Sequence, residues 1–248
     1  MINLTLFVKA WNGGQLRQID ELLHSQFADL EVDVKVLGNP VNRWVQVSVE
    51  GEDEAIAVAY IRKEIGVCPV SFDAVETAMV LKGYVSKIEV EKQRLMVDVG
   101  VFEPKVTQVV VSLSNLQTQL VGGKNVALKQ IVEAYAVTEG LPLSVKVISK
   151  DADILEAELS AEQVVKLQSW QQSLLDRLIV LRTSKELVSE VLERTRLDRD
   201  VIDVESLGLF EFALVCKLGT DAAGLIPRMG RYMRNAVFVV FDAKKARF

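Results

Sequence analysis

The sequence predicts a protein of the α/β class in its α+β form: a ferredoxin-like plait, a central OB-fold barrel and a second ferredoxin-like plait. Both ends of the chain repeat the strand and helix order of a plait, and the middle has five short strand patterns with one helix pattern after the third. In addition, 50% of the 248 residues are hydrophobic, which is enough for the cores of two or three domains. The predicted domains are 1–78, 79–160 and 161–248.

The first predicted plait has strand patterns at 2–8, 32–36 and 44–49, where apolar residues occupy alternate positions. Helical spacing of apolar residues follows at 16–27 and again at 53–65. A short strand near Val67 to Val70 would complete the βαββαβ order.

An aromatic pair, Phe7 and Trp44, is expected on the helix-free face of this first sheet. The pair could stack RNA bases or pack against the barrel. Carboxylates of Glu31, Asp33 and Glu50 share that face and would repel phosphate, so packing is the favoured interpretation.

The central segment reads as a small barrel because its strand patterns are short and rich in valine. A helix is predicted at 125–137, after the third strand, which is the element order of an OB fold. The predicted strands are 83–88, 95–101, 106–113, 143–148 and 153–159.

Within this barrel, Gly83-x-Val85-x-x-Ile88 followed by Val97-Asp98-Val99-Gly100 resembles the OB-type RNA-binding repeat of the large bacterial ribosomal small-subunit protein. The resemblance implies that RNA would lie on the face of strands two and three, where aromatic rings stack bases and basic groups meet phosphate. The alternative is a barrel that only spaces its neighbours. The candidate contacts on the barrel are Tyr84, Arg94, Phe102 and Lys105.

After the barrel, Ser160 and Gln163 form a capping-box pattern ahead of a connector helix. The second plait then follows, with a helix at 183–193 opened by Thr183 and Glu186. Its last two strands are apolar on both faces, so they need cover from the connector helix, the barrel or a second copy of the chain. The strands are predicted at 177–182, 200–205, 209–217 and 236–241, with a short helix near 227–234.

Charge is distributed unevenly along the chain. The formal net charge is −5 and the pI is near 5.2, which argues against a globally basic nucleic-acid binder. Residues 1–78 hold 6 basic and 12 acidic side chains, whereas residues 225–248 hold 6 basic and 1 acidic side chain. A polyanion would therefore meet the C-terminal end.

The glycine-bearing turn after 209–217 leads into a short helix, and its free amides and nearby cations could attract phosphate or carboxylate. It is not a nucleotide P-loop, since no Gly-Lys-Ser/Thr follows. The alternative is a purely structural turn. The candidate RNA or anion contacts at this end are Lys217, Gly219, Thr220, Arg228, Arg231, Arg234, Lys244, Lys245 and Arg247.

The same turn carries Cys216-Lys217-x-Gly219-Thr220-Asp221 and then Gly224-Leu225-Ile226-Pro227. Together with Val201-Ile202-Asp203-Val204-Glu205-x-Leu207-Gly208, this resembles an archaeal domain-of-unknown-function family, number 2110, over essentially the whole chain. The resemblance implies an archaeal, cytoplasmic protein and adds no activity.

Catalysis has little support in the sequence. The chain has one histidine, His24, and no zinc spacing, nucleophile elbow or dinucleotide fingerprint, so no metal or cofactor is predicted. Cys68 and Cys216 fall in different predicted domains and are expected to be free thiols in a reducing compartment. No apolar run is long enough for a membrane span, which favours a cytoplasmic protein.

The sequence therefore favours a non-catalytic RNA-binding or ribonucleoprotein-associated factor. One alternative is an assembly or scaffold protein that docks a protein partner, or dimerises, through its C-terminal sheet. The other is a sensor of small anions.

Overall fold

The computed structural model describes residues 1–151 and 154–245. It forms two compact units that do not follow the order of the chain. The first unit contains residues 1–75 and 99–107, and the second contains residues 76–98 and the described residues of 108–245.

The first unit is built on a three-stranded antiparallel sheet in the order β1-β3-β2. Asn12 begins the first helix, because its side chain accepts a hydrogen bond from the Gln15 amide at 3.0 Å. The second helix continues into a π-helical turn at Ile61–Ile65. The elements are β1 (Ile2–Lys9), α1 (Gly13–Gln26), β2 (Val32–Gly38), β3 (Trp44–Gly51), α2 (Glu54–Tyr60) and β4 (Val70–Ser71).

The first predicted plait is not confirmed, because the chain after α2 does not add a fourth strand to this sheet. Val67 makes only an isolated antiparallel bridge with Leu6, supported by hydrogen bonds from Phe7 to Gly66 and from Cys68 to Thr5. The strand β4 instead runs parallel to residues 101–103. That partner lies about 30 residues farther along the chain, and local periodicity does not reveal it.

The middle of the chain forms a closed barrel of five strands. The strand order is β6-β5-β8-β9-β7, and pairing of β6 with β7 closes the ring. The contact between β7 and β9 is parallel, whereas β5 with β6, β5 with β8 and β8 with β9 are antiparallel pairs. This order fits an OB-like fold. The strands are β5 (Val80–Glu89), β6 (Arg94–Glu103), β7 (Thr107–Ser112), β8 (Pro142–Asp151) and β9 (Ile154–Leu159).

Two helices, not one, follow the third barrel strand: α3 (Leu113–Leu120) and α4 (Leu128–Ala134). Ser112 ends β7 and begins α3, because its hydroxyl accepts a hydrogen bond from the Asn115 amide at 3.3 Å. The prediction of a single helix at 125–137 is therefore incomplete.

The second half of β6 belongs to the first unit. Gly100, with φ of +76°, lies against Cys68 and the ring of Trp44, where a β-carbon would overlap the cysteine side chain. Val101 pairs with Val70, and the Phe72 amide donates to the Glu103 carbonyl at 2.8 Å. Residues 99–107 thus complete the core of the first unit.

The C-terminal region is a four-stranded antiparallel sheet in the order β11-β12-β10-β13. The helix that was predicted to open at Thr183 begins instead at Ser184, because the Ser184 hydroxyl accepts a hydrogen bond from the Leu187 amide. The elements are α5 (Ala161–Ser173), β10 (Arg177–Leu181), α6 (Lys185–Thr195), β11 (Val201–Ser206), β12 (Glu211–Cys216), a 3-10 turn at Ala222–Leu225, α7 (Ile226–Met229) and β13 (Val237–Phe241).

Both faces of β12 are covered within the chain, as the apolar pattern required. On one face, α6 and the segment after the 3-10 turn bury Phe212, Leu214 and Cys216. On the other face, Trp170 of α5 packs edge-on against Phe241 with 5.5 Å between ring centroids. The connector helix therefore supplies the cover, and its predicted Ser160 cap is confirmed by a hydrogen bond from the Gln163 amide at 3.1 Å.

Candidate functional site

The turn after β12 is held against the loop that follows α6. The Lys217 amide donates to the Asp200 carbonyl at 2.8 Å, and the Thr220 amide donates to the Lys217 carbonyl at 2.9 Å. Gly219 has a φ of +89° and open space around it. This geometry exposes the Lys217 side chain, whose Nζ lies 3.5 Å from the Arg199 carbonyl oxygen.

Two of the amides near the helix start are already bonded. The Asp221 carboxylate accepts the Ala223 amide at 3.0 Å, and the Gly224 amide donates to the Asp221 carbonyl at 3.1 Å. The helix that follows has only four residues. The Asp221 carboxylate of the chain itself therefore occupies one of the amide positions expected to be open to an anion.

Arg228 joins the α7 segment to the end of α6. Its guanidinium donates to the Thr195 carbonyl and lies 3.7 Å from the Asp200 carboxylate. Arg228 is thus partly committed to intramolecular contacts. Arg231 and Arg234 are exposed and have no side-chain partner within the part of the chain that the structure describes.

An exposed aromatic ring that the sequence reasoning missed lies beside these cations. Tyr232 is 41% exposed, and the Arg194 guanidinium lies 4.5 Å from the centroid of its ring. No local signal in the sequence indicates this contact, because Arg194 lies in the last turn of α6 and is remote from Tyr232 in the chain.

These contacts connect the end of α6 and the loop after it with the turn after β12 and with the α7 segment. We call a set of exposed or partly exposed side chains from these three segments the basic surface. It consists of Arg194, Arg199, Lys217, Arg228, Arg231 and Tyr232. Two acidic groups contact it: Asp200 lies 3.7 Å from Arg228, and Glu190 lies 4.0 Å from Arg194. The combination of cations with an exposed ring is the pattern found where single-stranded nucleic acid binds.

The remaining C-terminal candidates follow β13. Lys244 is exposed, and Lys245 forms an ion pair with Asp242 at 3.7 Å. Arg247 lies outside the described residues.

The four barrel candidates do not form one exposed face. Tyr84 is only 1% exposed, so its ring is not available to stack a base from solution. Arg94 donates from Nε to Glu89 Oε2 at 2.6 Å, and this hydrogen bond is the main reason that the pKa of Glu89 falls to about 2. Phe102 is half-buried and Lys105 is exposed, and both belong to the first unit, whereas Tyr84 and Arg94 belong to the second.

The Phe7 and Trp44 rings lie together as expected, with centroids 5.5 Å apart. Trp44 is 1% exposed and lies against Gly100, with Lys9 Nζ 4.7 Å from its ring centroid. The pair is therefore a packing contact and not a platform for bases.

Cys68 and Cys216 are both buried, and neither forms a disulfide bond within the described residues. Burial raises the pKa of Cys216 to about 11. Within the described ranges, no group of three or more histidine, cysteine or acidic side chains could hold a metal ion. Glu205 accepts hydrogen bonds from Trp170 and Arg177.

No helix within residues 1–151 and 154–245 is long and apolar enough to cross a bilayer. The architecture defines the class, which is a mixed α+β protein: along the chain come a three-stranded antiparallel sheet, a closed five-stranded barrel and a four-stranded antiparallel sheet. The chain belongs to the DUF2110 family, whose N-terminal domain model matches residues 2–70, central domain model residues 75–171 and C-terminal domain model residues 175–241.

Among solved structures, a protein from vaccinia virus (Wisconsin strain) is similar to part of this chain. The two share 17% sequence identity, and the alignment covers 35% of this chain and 89% of that one, with a TM-score of 0.23. No curated protein matches.

Proposed function

We propose that this protein binds single-stranded RNA through its basic surface and catalyses no reaction on it. One observation supports the proposal: the Arg194 guanidinium lies against the exposed ring of Tyr232, and Lys217 and Arg228 both contact the segment 195–200 that follows Arg194. Cations would meet phosphates, and the ring would stack a base. The protein would then act in the cytoplasm as a ribonucleoprotein-associated factor.

The distribution of charge along the chain supports binding of RNA at the C-terminal region and not at the N-terminal region. Residues 1–78 hold 12 acidic and 6 basic side chains, so this N-terminal region would repel a polyanion. The features of the barrel support a role in spacing the neighbouring domains better than a role in binding RNA, because Tyr84 is buried and Arg94 is paired with Glu89. The strand order β11-β12-β10-β13, with β10 and β12 in the centre, supports a ferredoxin-like plait for the C-terminal region.

RNA binding is tested by fluorescence anisotropy with a labelled single-stranded RNA at a series of salt concentrations. Five neutralised phosphates at about 0.7 counterions each predict a slope of log K against log salt of about −3 to −4. Lys217→Ala and Arg231→Ala should each weaken binding of all sequences similarly and flatten the slope by less than one unit.

Tyr232→Ala should cost about 1 to 3 kcal/mol of binding free energy through the lost base stack, with the salt slope unchanged. Lys124→Ala is the matched control, because Lys124 is an exposed lysine of the barrel region outside the basic surface. If the full chain fails to bind RNA even at low salt, the proposal is wrong. If Lys124→Ala weakens binding as much as Lys217→Ala, the basic surface is not the binding site.

The scaffold alternative has one observation in its favour, which is the open edge of the C-terminal sheet at β13. The small-anion alternative has less support, since the turn amides are bonded to Asp221.

A further inference from the structure

The strand β13 lies at one edge of the C-terminal sheet and pairs only with β10. In an antiparallel edge strand, alternate residues direct their amides and carbonyls away from the sheet. Those groups of Val237–Phe241 have no backbone partner on the outer side among residues 1–151 and 154–245.

Two other edge strands are protected in ways that β13 is not. The edge strand β2 carries Asp33 and Lys35 and has an irregular register near Gly38. The opposite edge of the C-terminal sheet, β11, carries Asp203 and Glu205 and has an irregularity near its start. Charges and bulges of this kind prevent edge pairing with another chain.

The sequence of β13 is Val-Phe-Val-Val-Phe, and its register with β10 is unbroken over all five residues. It contains no charge, proline or bulge. Its side chains Val237 to Val240 are half-buried by the sheet's own packing, so what remains open is mainly the backbone edge. An edge of this composition is suited to accept a further strand.

Cationic side chains lie beyond both ends of the β13 edge strand. Arg234 is exposed three residues before β13, and Lys244 is exposed three residues after it. Neither side chain has an acidic partner within the described part of the chain. Of the acidic residues at the end of this edge, Asp242 is paired with Lys245 at 3.7 Å and Asp176 accepts the Ala243 amide at 3.1 Å.

We propose that the outer edge of β13 binds an extended segment of a partner protein, a short apolar strand with carboxylates at both ends. The apolar strand would form backbone hydrogen bonds with β13. The carboxylates would meet Arg234 at one end and Lys244 at the other. This site is separate from the basic surface and does not depend on RNA binding.

A second copy of the chain fits this edge less well. Antiparallel self-pairing centred on Val239 would align the two apolar strands fully, but it would place Arg234 of each copy opposite Lys244 of the other. Like charges in directly opposite positions are destabilising. Charge complementarity therefore favours an acidic partner over self-association.

The test uses the full-length protein and two synthetic peptides with the same core, Val-Thr-Val-Thr-Val. One peptide has Asp-Glu before the core and Glu-Asp after it, and the other has two lysines at each end. We expect the acidic peptide to bind about tenfold more tightly or better, with a difference that shrinks as salt rises. Bound peptide should also slow the hydrogen exchange of the outward-facing amides of Val237–Phe241.

The double variant Arg234→Glu/Lys244→Glu should reverse the preference between the two peptides. Both side chains are exposed, so the fold should not be affected. Lys124→Glu is the matched control and should leave the preference unchanged. Equal binding of the two peptides, or binding without protection of 237–241, would overturn the proposal.

Light scattering of the protein alone distinguishes self-association. A dimer that protects the β13 amides without added peptide would identify a second copy as the occupant and would overturn the assignment to an acidic partner. Displacement of bound acidic peptide by single-stranded RNA, with loss of the amide protection, would equally overturn it.

Discussion

At the scale of single residues, Glu211 is an acid whose pKa is strongly shifted by burial. It is 1% exposed at the start of β12, its Oε2 accepts the Phe210 amide at 3.3 Å, and the Tyr84 hydroxyl also hydrogen-bonds to it. Burial nevertheless raises the pKa of Glu211 to about 8, because the two hydrogen bonds only partly offset the loss of water. The carboxyl is therefore mostly protonated at neutral pH.

This perturbed pKa predicts a pH-dependent stability. The folded chain retains one proton that the unfolded chain releases between about pH 4.5 and pH 8, so the free energy of unfolding should fall by up to about 1.4 kcal/mol per pH unit in that window and then level off. Glu211→Gln should remove this dependence, as measured by urea unfolding at about pH 5, 6.5 and 8. The exposed Glu133→Gln is the control, and the same pH slope in wild type and Glu211→Gln would refute the prediction.

Gly100 offers a second test at the residue scale. Its φ of +76° is nearly that of Gly123, at +77°, but Gly123 has open space where Gly100 contacts Cys68. Alanine should cost about 1 kcal/mol at either position through backbone strain, and about 1 to 3 kcal/mol more at Gly100 through overlap. The loss of unfolding free energy in each variant is measured by hydrogen exchange of amides in the unit that contains the glycine. Equal losses in the two variants would contradict the close contact at Gly100.

At the scale of elements, one buried charge fixes α5 to the C-terminal sheet. Arg177 of β10 is 5% exposed, lies 5.1 Å from the Trp170 ring centroid and pairs with Glu205 of β11 at 3.2 Å. The Trp170 indole N–H donates to the same carboxylate at 2.8 Å. The helix and two strands thus share one polar contact.

Removing only the Glu205 carboxylate should destabilise the fold more than replacing both partners of the Arg177–Glu205 ion pair. Glu205→Ala leaves the Arg177 guanidinium buried without its ion partner and should destabilise the chain by about 3 kcal/mol, whereas Arg177→Met/Glu205→Leu should cost less or nothing. Urea unfolding measures both variants. Lys129→Ala is the control for an exposed pair and should cost below about 1 kcal/mol. A double variant less stable than Glu205→Ala would mean that the ion pair itself stabilises the contact.

Periodicity in the sequence predicted elements well where the pattern is local. The five barrel strands and the Ser160 start of α5 follow from alternation and capping alone. Periodicity failed at 113–120, where Leu113, Leu116 and Leu120 have helical spacing but directly follow a valine-rich strand, so no helix was predicted there. The sequence also wrongly predicted that the Tyr84 ring would be exposed. Burial of this ring depends on partners such as Glu211, which are distant in sequence.

The candidate site shows the same limit. The sequence identified the cations from Lys217 to Arg234 by composition, since charge counts need no structure. It could not find Arg194 beside Tyr232, because that contact joins the end of α6 to a segment almost 40 residues later. It also could not tell that Asp221 would bond the turn amides itself.

At the scale of the whole molecule, residues 99–107 should unfold with the first unit. Val47→Ala, at a fully buried position of β3, should destabilise that unit by about 2 kcal/mol and speed amide exchange about thirtyfold, both there and in 99–107. Exchange in 80–89 should change little. Val145→Ala in β8 is the matched control in the second unit, and acceleration of 99–107 by that variant instead would contradict the division.

The division of β6 between the units also sets an order of events during synthesis. The ribosome completes residues 1–75 before it makes 99–107, so Cys68 and Trp44 lack Gly100 and its neighbours while 32 further residues are added. At about 5–20 residues per second this delay lasts about 2 to 6 s. During that interval the apolar surface around Cys68 and Trp44 is not yet covered by residues 99–107. A chaperone that binds exposed apolar surface would bind the nascent chain at this stage.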